Sequence, residues 1–174
     1  MKKERKGAVL AEPKKKIEVW FAQYAETRQH PTNRLLHFIF IPLMVFSVLG
    51  LFWSIPFPYL EFLGKYNGFV NWASFLIAFG GYYYYRISPV LLYLMIMLVF
   101  ITALIIVQLE KWVMVGGPAI WLVCTITFII SLVGLFIGRS LEGKQHPFVV
   151  TVKNLLIGPI WVLHFICLKI GVKY

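Results

Sequence analysis

Apolar residues in this chain gather in long runs rather than alternating with polar ones. From Leu35 to about Trp53 the only ionisable side chain is His37. A run of that length matches the roughly 20 residues needed to cross a hydrocarbon core as a helix. A second run, from about Phe69 to Tyr85, ends in the tyrosines Tyr82 to Tyr85, whose amphipathic rings suit the headgroup level. Arg86, Ser88 and Pro89 make a tight turn into a third run, Val90 to about Leu109, so these two spans are expected to be antiparallel neighbours. Gly116, Gly117 and Pro118 separate the third run from a fourth, Ala119 to Gly138.

The flanks carry a different pattern. Ile17, Trp20, Phe21 and Tyr24 recur at helical spacing with Glu18, Gln23 and Glu26 between them. This predicts an amphipathic helix with an aromatic face, suited to the membrane interface, that stops before Pro31. The last apolar stretch, Leu155 to Leu168, is short and broken by Gly158 and Pro159. That length suits a re-entrant or interfacial helix better than a full crossing. The expected fold is therefore all-α: an integral membrane bundle of about four transmembrane helices, an amphipathic N-terminal helix and a short C-terminal helix. Residues 1–16 form an expected basic, disordered tail, and residues 17–174 a single membrane domain. Met1 to Lys16 lacks the apolar stretch of a secretory signal, so insertion is expected to use the first span.

Composition agrees with the runs. The chain is 60% apolar and 14% charged, against about 25% charged in a soluble protein. Its formal charge of +10 does not mark a nucleic-acid surface, because nine of the 17 Lys and Arg precede Leu35 and the rest lie singly between apolar runs. Placing both termini in the cytoplasm puts Arg86, Arg139, Lys144 and Lys153 on the inner side, as the positive-inside rule asks. A bacterial inner membrane and the endoplasmic reticulum fit this pattern equally well. Cys124 and Cys167 lie inside apolar stretches without paired-ligand spacing, so neither a disulfide framework nor a cysteine zinc site is expected. No inverted repeat of the transporter kind is present, and no oligomeric state follows from the sequence.

The polar residues that call for explanation fall in two segments, Arg28 to His37 and Arg139 to His146. Asn33 and His37 are one helical turn apart and share a face. His30 precedes Pro31 and suits a helix cap. Glu142 is the only acid of the second segment. In the expected topology both segments reach the same membrane face. Imidazoles with one carboxylate suit a divalent transition metal, and two His with one carboxylate is the non-haem iron(II) arrangement. The plainer alternative is that His37 and His164 bond backbone carbonyls between helices while Glu142 pairs with Lys144 or Arg139. Arg28, Arg34 and Arg139 are either topological anchors or a set that holds the carboxylate of an amphiphile by paired hydrogen bonds.

Two stretches carry a family resemblance. Trp20-Phe21-Ala22 with Tyr24, followed by Arg28-Gln29-His30-Pro31-Thr32-Asn33-Arg34-Leu35-Leu36-His37 and Ile41-Pro42-Leu43, resembles the opening motif of the membrane 2-hydroxy-fatty-acid dioxygenases. Phe136-Ile137-Gly138-Arg139-Ser140-Leu141-Glu142-Gly143-Lys144, with Pro147 and Leu155 to Trp161, is similar to its second motif. The resemblance implies a membrane enzyme that uses iron(II) and dioxygen to shorten a 2-hydroxy fatty acid by one carbon. It also marks two departures, since this family usually carries His where Arg28 and Arg139 stand. A guanidinium has no lone pair for a metal. The matching positions that remain are Asn33, His37 and Glu142.

The leading expectation is an iron site formed by His37 and Glu142 with His30 and His146, both of the first pair also catalytic. Arg28, Asn33, Arg34 and Arg139 would then bind the substrate, with Arg28, Arg34 or Arg139 holding its carboxylate. The rival expectation, from a different class, is a non-catalytic lipid-binding or scaffold protein in which arginines have turned the metal site into an anion site.

Overall fold

The computed structural model describes residues 16–143, 157–165, 167–168 and 171. Six helices account for most of them: α1 (Lys16–Glu26), α2 (Pro31–Ser54), α3 (Trp72–Ile87), α4 (Pro89–Met114), α5 (Ile120–Ser140) and, over residues 157–165 and 167–168, α6. A 3-10 segment, Glu61–Phe69, lies between α2 and α3 and turns at Gly64, whose φ of 46° favours glycine.

Local chemistry places the boundaries. Pro31 sits at the first position of α2, where its missing N–H costs nothing, and the His30 ring accepts from the Thr32 amide. Asn71 and Ser74 form a reciprocal capping box at the start of α3. Pro89 restarts the helix immediately after α3 and produces the tight antiparallel hairpin expected from Arg86 to Pro89.

Among the described residues three helices are long and apolar enough to cross a membrane: α2, α4 and α5. The second run is also helical, but α3 has 16 residues, a rise of about 24 Å against the roughly 30 Å of a hydrocarbon core. The outer surface is lipid-like. Side chains such as Phe79, Phe100, Ile129, Ile130 and Phe136 are exposed along the helices, the inverse of a soluble surface. Hydroxyls inside the spans are satisfied within their own helices; Thr102 donates to the Leu98 carbonyl and Ser131 to that of Thr127.

The most extensive helix pair is α2 with α5. Every buried residue of α5 is small: Cys124, Ser131, Gly134 and Gly138. Small residues let helix backbones approach closely where lipid offers no hydrophobic drive. A Cβ at Gly50 would collide with the Cys124 thiol, one at Gly134 with the Phe40 ring, and one at Gly138 with the Asn33 amide. These contacts run along both helices in opposite directions and bring the start of α2 beside the end of α5.

The aromatic stripe of α1 packs against α6, with Phe21 and Tyr24 buried there. In α6, Ile157 to Leu163 are all buried, and Trp161 packs on Tyr24, His37 and Phe38. An apolar stripe shows that a face is buried, not whether lipid or protein buries it. The tyrosine run is also divided, with Tyr84 in the core and Tyr82, Tyr83 and Tyr85 exposed. Residues 1–15 of the expected tail lie outside the described residues.

Candidate functional site

The polar cluster forms where α1 hands over to α2 and α5 ends. Tyr24 and Arg28 are four residues apart across the end of α1. The Arg28 guanidinium lies over the Tyr24 ring, its Cζ 3.5 Å from the centroid, a cation–π contact. Its Nη1 donates to the Tyr24 carbonyl at 3.0 Å and to the Thr27 hydroxyl. Its Nε donates to His37 Nε2 at 2.9 Å.

That last bond decides the state of His37. The other ring nitrogen, Nδ1, lies 2.9 Å from the Asn33 carbonyl, which can only accept. Nδ1 therefore carries the proton, and Nε2 offers its lone pair to a guanidinium that can only donate. His37 is the neutral Nδ1–H tautomer with both nitrogens engaged. The imidazole is buried, with the Tyr24 and Trp161 rings edge-on beside it.

Glu142, just past the end of α5, is used differently. Its Oε1 accepts from the His30 amide at 2.9 Å and from Asn33 Nδ2 at 2.8 Å. Its Oε2 accepts from the Gln29 amide at 3.0 Å. The carboxylate thus closes the N-terminal end of α2, where orphan amides and the helix dipole favour negative charge. Burial by itself would raise the Glu142 carboxyl, but the bonds from Asn33, His30 and Gln29 outweigh it and hold it below the usual carboxylate range. Asn33 is 1% exposed. Because the carboxylate fixes which end of the amide donates, Oδ1 is left pointing at Gly138 with no hydrogen-bond partner among the described residues.

Charge is out of balance. Burial lowers the Arg28 guanidinium from its ordinary value and the charge of Arg139 adds to this, while Tyr24 and Glu142 oppose it. Burial also pushes the Tyr24 phenol up to about 12 against the pull of Arg28. Arg34 donates through Nε to the Arg28 carbonyl at 2.8 Å, so it braces the same loop. Three guanidiniums thus reach this end of the bundle, where Glu142 already takes three hydrogen bonds.

Arg28, His30, Asn33, Arg34, His37, Arg139 and Glu142 reach the same end of the bundle, and His146 lies outside the described residues. His164 stacks on Phe21 with ring centroids 4.5 Å apart. Arg28 stands on the His37 lone pair, and three of about four carboxylate lone-pair positions on Glu142 are taken. Among the described residues no group of three or more His, Cys, Asp or Glu gathers to hold a metal ion. The described donor set therefore does not fit the expected iron centre. Sequence reading missed Tyr24 and Trp161 as parts of the site; the four-residue spacing of Tyr24 and Arg28 was the available signal for the first.

No curated protein and no solved structure matches the chain. Residues 14–170, from the start of α1 through both polar segments to the end of α6, match the family described as 2-hydroxy-palmitic acid dioxygenase Mpo1-like. With nearly its whole length matched, this membrane helical chain belongs to the Mpo1-like 2-hydroxy-fatty-acid dioxygenase family.

Proposed function

We propose that this chain is a lipid-binding member of its family, which holds the carboxylate of a fatty acid at the cytoplasmic membrane face without the family's iron chemistry. The observation that carries this reading is the bond from Arg28 Nε to His37 Nε2. A ligand imidazole needs that lone pair, and here a guanidinium consumes it. The same substitution creates an anion site. Among the described residues Arg28 bonds through Nε and Nη1, and its Nη2 edge is the part proposed to meet a carboxylate, with Arg34 and Arg139 supplying further positive charge. Charge-assisted bonds of this kind contribute about 1.5–3 kcal/mol each.

A second reading, iron(II)- and dioxygen-dependent shortening of a 2-hydroxy fatty acid, is favoured by the family match over residues 14–170. It requires Arg28 to leave His37, and His30 and His146 to supply donors beside His37 and Glu142. The two readings part in one experiment. Protein in lipid nanodiscs is loaded anaerobically with iron(II), freed of excess metal, and assayed for iron, for oxygen uptake with 2-hydroxypalmitate, and for fatty-acid binding. The lipid-binding reading expects far less than one iron per chain, no oxygen uptake, and binding that weakens about ten-fold or more in Arg28→Gln. Near-stoichiometric iron with substrate-dependent oxygen uptake would establish the second reading instead.

A further inference from the structure

We infer that the apolar groove between α2, α3 and α4 receives the alkyl tail of the fatty acid whose carboxylate is held at Arg28, so that head and tail occupy one elongated site. The inference rests on the carboxylate reading above and names where the rest of the ligand goes.

The groove has a volume of about 250 Å³ and is lined by residues that include Ile41, Leu49, Gly80, Gly81, Met95 and Pro159. Apart from the Tyr84 hydroxyl, its lining side chains are apolar. None of Arg28, Asn33, His37 or Glu142 lines it, so it offers nothing to a carboxylate and suits only a hydrocarbon chain. From Ile41 to Leu49 it follows α2 for about 12 Å along the span. Its volume is below the roughly 300–1,000 Å³ of a drug-sized pocket, which suits one alkyl chain rather than the paired tails of a phospholipid.

Position links the groove to the polar cluster. Ile41 follows His37 by one helical turn on the same buried face of α2. Gly158, beside the groove residue Pro159, lies against both Ile41 and the Tyr24 hydroxyl, and Tyr24 carries Arg28 on its ring. The groove is kept open by adjacent glycines. A Cβ on Gly80 meets nothing within 4 Å and one on Gly81 meets only Leu92, at 3.9 Å. Paired glycines weaken a helix relative to alanine, and close helix packing does not call for them here.

The test uses the full chain in nanodiscs and a palmitate analogue bearing a photoreactive diazirine near the methyl end. Adducts are mapped by peptide mass spectrometry with and without excess palmitate. Palmitate-protected adducts on groove residues of α2, α3 or α4 are expected, with most of them lost in Gly80→Leu and in Arg28→Gln. The Cβ that Gly80→Leu adds meets nothing within 4 Å and the change replaces a poor helix former, and circular dichroism of the variant checks that it folds. Adducts spread over lipid-facing residues such as Phe100 and Ile129, or groove adducts that survive Gly80→Leu, would overturn the groove while leaving the carboxylate site standing. Groove adducts unaffected by Arg28→Gln would overturn the link between head and tail. Absence of any palmitate-protected adduct, together with no measurable palmitate binding, would overturn the carboxylate site itself.

Discussion

Removing the carboxylate of Glu142 tests whether this residue is a structural clasp. In Glu142→Gln one oxygen can still accept from His30 and Asn33, but the new amide group faces the Gln29 N–H donor to donor. Bonds to a charged acceptor contribute about 1.5–3 kcal/mol against about 0.5–1.5 for a neutral one. Glu142 is partly exposed, so solvent screens part of that difference, and a net loss of about 1 kcal/mol is expected. Glu142→Ala goes further, because Asn33 is 1% exposed and its Nδ2 would join Oδ1 as an unsatisfied buried group, for a loss of about 2–3 kcal/mol. At about 2–4 °C per kcal/mol for a chain of this size, thermal unfolding in detergent resolves both. The pH dependence gives a second check. A carboxyl held below its unfolded value contributes stability that is complete above the ordinary glutamate range, near 4.3, and is lost as pH falls through the lower native value. Wild type and Glu142→Gln should therefore differ at neutral pH and converge in acid. Equal unfolding temperatures at neutral pH, or an undiminished gap in strong acid, would refute the clasp.

Two further predictions concern the same end of the bundle. Arg28→His with Arg139→His releases the His37 lone pair and adds two imidazoles, so the double variant should acquire a cobalt(II) ligand-field spectrum that the wild type lacks; an unchanged spectrum would show that these positions do not converge. Gly138→Ala should destabilise by about 1–3 kcal/mol because its Cβ collides with Asn33, whereas in an Asn33→Ala background the same change should become neutral or stabilising through helix propensity, as denaturation of the four proteins would reveal.

Much of the site was readable one residue at a time. The spacing of Asn33 and His37, the capping position of His30 and the isolation of Glu142 all pointed to one end of the bundle, and the structure brings these residues there. The plainer alternative for His37 is met only in part, since Nδ1 bonds a backbone carbonyl but that of Asn33 in its own helix rather than one on another helix. What the one-dimensional pattern lacked was pairing. Glu142 satisfies the amides of Gln29 and His30 and the side chain of Asn33, more than a hundred residues away in the chain.

By itself the sequence determined the class of this protein. Long runs of side chains without charge have no stable place except hydrocarbon, and proline, glycine and capping residues set where the helices begin and turn. Tertiary structure alone decided which apolar faces meet protein and which meet lipid, because burial of either kind leaves the same periodicity. It also decided the chemistry of the polar cluster. Whether an imidazole can serve a metal depends on which donor reaches its lone pair, and only the folded chain puts Arg28 there.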